Sequence, residues 1–121
     1  NPALEVLLIG GHVRGDNWSV VGMLALEMLG RLHARRGFFG AAGLTAASGL
    51  TDADQREVQI KRAMVAATDE VNVLLDSSKF GQRALLTFAS LADVDHIVTD
   101  AGIPPDYIDL CRDHDVRLTV V

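Results

Sequence analysis

Val71-Asn72-Val73-Leu74-Leu75-Asp76-Ser77-Ser78-Lys79-Phe80-Gly81 is the stretch on which the fold turns. Its first five residues form a short apolar run that reads as a buried strand. At the strand's end stand a carboxylate, two hydroxyls, an ammonium and a glycine. In an open α/β sheet, ligands bind outside the carboxyl ends of the strands. A lysine there suits an anion, and Ser77 and Ser78 can hydrogen-bond sugar hydroxyls or phosphate oxygens. The plain alternative is a strand-to-loop turn with a cap-like Asp76 and a solvated Lys79. Chemistry alone leaves both readings open.

Outward from this stretch, strands and helices alternate. Leu4–Ile9 shows little polar alternation, which predicts a strand buried on both faces of a parallel sheet. Gly10-Gly11 ends it. His12, Arg14 and Asp16 follow in a loop, where the two cation-capable side chains suit either a phosphate or plain solvation. Trp18–Val21 is short and strand-like. Residues 22–32 read as a helix with a stripe of Val21, Leu24, Ala25, Met28, Leu29 and Leu32. Met23 and Leu26 lie off that stripe, so the helix is apolar on most sides and calls for a partner chain or further segments to cover it.

Residues 37–43 read as the next strand and its exit. The small residues at 40–43, Gly43 among them, allow a helix or a ligand to approach the backbone. Residues 43–49 read as loop. Thr51 is a good N-cap, and the Thr51/Asp54 spacing mimics a capping box. A helix is therefore predicted from there to about Thr68, with Ala53, Ile60, Met64 and Ala67 on its buried face. Glu57 and Lys61 stand one turn apart in the favourable order for an ion pair. That pair reads as a surface salt bridge or as part of a site.

Residues 84–88 read as strand or as a helical turn. Asp95–Asp100 is another strand, and Pro104-Pro105 opens a helix of about Asp106–His114. Arg117–Val121 is the last strand. Cys111 has helical apolar spacing, which favours a buried inert thiol over a nucleophile. This alternation predicts an α/β fold with a mainly parallel sheet flanked by helices and joined by right-handed crossovers.

Composition narrows the function. The chain has 121 residues, 49% hydrophobic and only 5% aromatic, so one domain with an aliphatic core is expected. The net charge of −5 and the lack of a basic patch make the chain a poor candidate for gripping a phosphate backbone unaided. One cysteine excludes an internal disulfide and fits a reducing, cytoplasmic setting. No apolar run is long enough to span a membrane. The four histidines and one cysteine have no metal-ligand spacing, and His96 stands without companions. No metal or other cofactor is implied. The start, Asn1-Pro2-Ala3, is how an excised fragment begins.

Six landmarks occur in order: Gly10-Gly11, Phe39–Gly43, Gly49-Leu50-Thr51, Glu57 with Lys61-Arg62-Ala63-Met64, Asp76–Gly81 and Val98-Thr99-Asp100. Together they resemble the C-terminal sensor domain of the DeoR family, bacterial transcription regulators of sugar metabolism. The resemblance implies an isomerase/CoA-transferase-like (Rossmann-like) domain, of which residues 1–121 are the C-terminal portion, incomplete on the N-terminal side. It implies a phosphorylated sugar as effector and operator DNA bound through an N-terminal domain outside this sequence. A homo-oligomer is expected.

The implied effector contacts are Lys79, Asp76, Ser77, Ser78, Thr51, Gly43, Glu57 and Lys61. The resemblance extends to ribose-5-phosphate isomerases, which carry an acidic run after one strand. Here the equivalent, Gly40–Gly43, has no carboxylate. Reading back without gaps from Asp76, their catalytic glutamate falls on Lys61, with Glu57 one turn earlier. The anion-binding part reads as kept and the acid–base part as lost. No catalytic residue is therefore assigned. The competing readings are a sugar-phosphate isomerase or deaminase, and an oligomerisation domain with a relic site.

Overall fold

The computed structural model describes all 121 residues. After an extended N-terminal segment come β1 (His12–Val13), β2 (Val20–Val21), α1 (Met23–Leu29) and β3 (Ala34–Phe39). Then follow β4 (Gly43–Thr45), β5 (Gly49–Asp52), α2 (Gln55–Ala66) and β6 (Thr68–Leu74). A single 3-10 turn (Ser77–Lys79) leads to β7 (Leu86–Ala89), and a second (Leu91–Asp93) to β8 (His96–Thr99). α3 (Pro105–Asp113) and β9 (Arg117–Val120) complete the chain.

The main sheet is parallel throughout, in the order β3-β6-β8-β9. Each connection moves one strand along in the same direction. With right-handed crossovers, that order places every connecting segment on one face. The packing agrees. Phe39, Val71, Val73, Leu75 and Ile97 share a single apolar core with Val58 of α2 and Cys111 of α3. The alternate residues, Arg36, Phe38, Glu70, Asn72, Leu74, His96, Val98, Arg117 and Thr119, share the opposite face by register. That face is open: Phe38 is 63% and Leu74 53% exposed. Its polar side chains bond one another, His96 to Asn72 and Thr119, and Glu70 to Arg36 and Arg117.

A smaller antiparallel sheet, β4-β5-β7, shares the same core through Leu44, Leu50 and Phe88. It corrects three expectations. Residues 43–49 are a hairpin rather than a loop. Thr51 lies in β5 rather than at a helix start, and the ambiguous stretch at 84–88 resolves as the strand β7. The N-cap of α2 is Asp54, whose carboxylate accepts from the N–H groups of Arg56 (2.8 Å) and Glu57 (3.4 Å). Thr51 cannot cap because its hydroxyl is engaged inside the small sheet. The buried face of α2 is also shifted: Val58 is fully covered, Ala53 is exposed, and Ile60 and Met64 line an apolar cavity.

The first predicted strand does not form. Leu4–Ile9 has no ladder partner; its only backbone bond is from the Leu4 N–H to the Asn1 carbonyl. Leu8 is 81% exposed. An extended segment becomes a strand only when its N–H and C=O groups find a neighbour. Leu7, Leu8 and Ile9 instead edge a cavity of about 380 Å³ against α1 and α2. The strand-like stretch at 18–21 shrinks to β2, leaving Trp18 outside it at φ 58. The expected helix at 22–32 shortens to α1, seven residues without a side-chain cap. Ala25 and Leu29 hold it, while Met23 and Leu24 of its apolar surface stay exposed.

α3 is locally encoded. Pro105 starts it, Asp106 stands in the first turn and Arg112 in the last, each matched to the helix dipole. Burial pushes the Cys111 thiol above its ordinary range, which keeps it protonated and inert. No helix is long and apolar enough to cross a membrane.

Candidate functional site

The carboxyl ends of β3, β6 and β8 lie side by side, and the stretch Asp76–Gly81 leaves the middle one. Every residue of that stretch is held. Asp76 caps the 3-10 turn, accepting from the Ser78 N–H (3.0 Å) and from the Ser78 hydroxyl. Those bonds hold its carboxyl below the ordinary carboxylate range. Asp100, at the end of β8, accepts from the Ser77 N–H (2.8 Å) and the Gly102 N–H (2.9 Å). Its pKa is lowered as well, by the bonds from Ser77 first and then by Gly102.

Gly102 suits this approach, since a Cβ there would stand 2.6 Å from the Ser77 hydroxyl and push it aside. Phe80 is buried and meets the Tyr107 ring edge-on at 5.2 Å. Gly81, at φ +85, donates to the Leu44 carbonyl at 2.8 Å.

Lys79 is the exception. Its backbone is fixed and its side chain half-buried, yet its ammonium has no partner. Of the eleven lysines and arginines, only Arg35, Lys79 and Arg83 have neither an ion pair nor a side-chain hydrogen bond. Two of these three flank Phe80–Gln82.

The other expected contacts divide. Lys61 reaches the end of β3, where it donates to the Gly40 carbonyl at 2.8 Å and ion-pairs with Asp52. The expected Glu57–Lys61 ion pair is not made, because Asp52 at the end of β5 is the nearer carboxylate. Asp52 also accepts from the Ala42 N–H at 3.1 Å. Glu57 turns towards the β1–β2 loop, where it accepts from the Asn17 amide (2.6 Å) and pairs with Arg14 (3.3 Å). Bonds from Ser19 and Asn17, with the charge of Arg14, hold its pKa below the ordinary value against partial burial. Arg14 also pairs with Asp16 and Asp54.

Thr51 is 1% exposed; its hydroxyl accepts from the Ala84 N–H (2.9 Å) and faces the Gly43 carbonyl (3.4 Å). Gly43 is buried, and a Cβ on it would overlap the Gln82 carbonyl. Thr51 and Gly43 therefore join the small sheet to the turn after Lys79. The structure thus brings Lys79, Asp76, Ser77, Ser78 and Lys61 to neighbouring strand ends and places Glu57 on the loop side of α2. Asp100, Asp52 and Gly102 were not anticipated as site residues. Asp100 had a signal, as a carboxylate closing a strand next to β6.

With this geometry, comparison with protein families matches residues 1–101 to the DeoR C terminal sensor domain. The chain belongs to that family. This sensor domain is 29% identical over 114 residues to the glycerol-3-phosphate regulon repressor of Escherichia coli K12, covering 94% of the chain and 45% of the repressor. It is 33% identical over 115 residues to the HTH-type transcriptional regulator IolR of Bacillus subtilis, covering 95% of the chain and 46% of IolR. It is 29% identical over 118 residues to a putative aga operon transcriptional repressor of Escherichia coli O157:H7, covering 98% and 44%. The sensor domain therefore spans less than half the length of these relatives. Each of these alignments is longer than the family match and takes in α3.

Proposed function

We propose that this sensor domain binds a phosphorylated sugar at the ends of β3, β6 and β8, within a cytoplasmic, oligomeric transcription regulator of carbohydrate metabolism that binds operator DNA through a separate domain. The observation that carries the proposal is Lys79, a partly buried residue whose ammonium has no partner, on a turn held by Asp76 and Asp100. An ammonium is a compact point charge that suits a phosphate oxygen, and the bonded turn fixes where its stem begins. The hydroxyls of Ser77 and Ser78 stand on the same turn, within reach of a sugar. The name of one relative, a glycerol-3-phosphate regulon repressor, supports a phosphorylated ligand.

Sensing is favoured over turnover by Glu57. Proton abstraction beside a carbonyl needs a base whose pKa is near neutrality. Glu57 is held below the ordinary glutamate value, and Lys61, where the gapless reading from Asp76 puts the isomerase base, is tied to Asp52. Binding would bias the geometry of the oligomer and so the spacing of its DNA-binding parts.

The test is thermal unfolding of the full-length regulator against a panel of sugar phosphates, with the free sugars as controls. A ligand at one hundred times its Kd stabilises the folded state by about 2.7 kcal/mol. The expected result is a rise in Tm with one phosphate, none with its free sugar, and loss of the rise in Lys79→Ala. No rise with any phosphate, or a rise unchanged in Lys79→Ala, overturns the proposal. Turnover abolished by Glu57→Gln would restore the enzyme reading.

A further inference from the structure

Arg83 stands on the far side of Gly81 from Lys79 and has a setting of its own. Its neighbours pin its backbone: the Gln82 N–H bonds the Lys79 carbonyl at 3.2 Å, and the Ala84 N–H bonds Thr51 at 2.9 Å. The guanidinium is exposed and without a partner. It edges an open cavity of about 590 Å³ whose other polar lining is Ser48, Thr51 and Thr87. None of the six lining residues is a carboxylate, in a chain where acids outnumber bases by sixteen to eleven. Asp52, on the strand paired to β7, is neutralised by Lys61. A second guanidinium, of Arg62, is fixed on the Thr87 carbonyl at 2.6 and 3.1 Å, adding positive potential at the same strand. The Ser48 hydroxyl has no partner, whereas that of Thr87 already donates to the Ser48 carbonyl at 2.7 Å.

We propose that this cavity is an oxyanion-binding site, separate from the strand-end site, in which Arg83 engages the anion through its fork of N–H donors and the Ser48 hydroxyl adds one more. A planar guanidinium suits the paired oxygens of a phosphate, a phosphate ester or a carboxylate. The lining of this cavity includes none of Asp76–Lys79, so it takes a different anionic group from the one at Lys79.

The test uses the full-length regulator in a Lys79→Ala background, which removes the strand-end cation. Calorimetric titration with inorganic phosphate and with acetate, at ionic strength matched by chloride, reads the site. The expected result is saturable binding of at least one of the two anions, weakened tenfold or more when Arg83→Gln is added. Saturation by phosphate, acetate or both supports the site and names its anion class. No saturable heat with either anion overturns it, as does binding unchanged by Arg83→Gln. Arg83 makes no side-chain bond, so the Tm of the double variant should match that of Lys79→Ala. Failure at Lys79 in the sugar-phosphate panel leaves this test standing, because the Lys79 ammonium is absent from it.

Discussion

Leu4–Ile9 and Val71–Leu75 are close in composition and opposite in fate. Both are short aliphatic runs followed within a few residues by glycine. Val71–Leu75 lies between β3 and β8, and its Val73 is wholly buried. Leu4–Ile9 has no neighbour and stands in solvent along most of its length. The contrast teaches that a strand is a pairing rather than a composition. Apolar side chains make burial favourable, but only an adjacent ladder satisfies the backbone. The paired run carries a bonded turn, while the unpaired run only edges a cavity.

The largest expected effect tests that contrast directly. Ile97→Ala, in the strand beside Val73, should cost about 2–5 kcal/mol, as buried aliphatic truncations do. Leu8→Ala should stay within about 0.5 kcal/mol, as exposed substitutions do. Urea midpoints read both, and equal losses would mean that Leu4–Ile9 is buried in solution.

The glycines sharpen it next. Gly43→Ala should cost about 1–3 kcal/mol, the range for overpacking, because the new methyl meets the Gln82 backbone. Gly10→Ala, with nothing within 4 Å of its Cβ position, should leave the midpoint unchanged. A silent Gly43→Ala would show that the small sheet can part from the turn after Lys79.

The smallest effect is a pH dependence. Asp100 has its pKa lowered from the ordinary 3.8, so its stabilising contribution is full above that value and lost as pH falls below it. Asp100→Asn should therefore lower Tm at neutral pH, and the gap from the wild type should close on acidification below pH 3.8. A gap that widens on acidification would show that Asp100 does not hold Ser77 and Gly102 as an anion.

Much of the parallel sheet is legible in the chain. Val71–Leu75, Asp95–Asp100 and Arg117–Val121 carry enough aliphatic and β-branched residues to be strands wherever partners exist. Pro104-Pro105 and Asp106 announce α3 locally. The family landmarks pointed to the turn after β6, which the structure shows braced by Asp76 and Asp100. The roles of Thr51 and Gly43 were not legible. Their hydroxyl and small size serve a hairpin whose partner, Gln82–Ala84, lies more than thirty residues away. The pairing of Lys61 with Asp52 rather than Glu57 was hidden for the same reason. One helical turn fits the local ion pair, and only the approach of β5 to α2 brings the competing carboxylate.

The sequence by itself determined the α/β alternation, the aliphatic core and the anion-suited turn, because periodicity, turn chemistry and residue type are local properties. The tertiary structure alone decided which runs became strands, which carboxylate each cation took, and that Lys79 and Arg83 were left without one. Those outcomes depend on distances between residues far apart in the chain, where the nearest partner takes the bond.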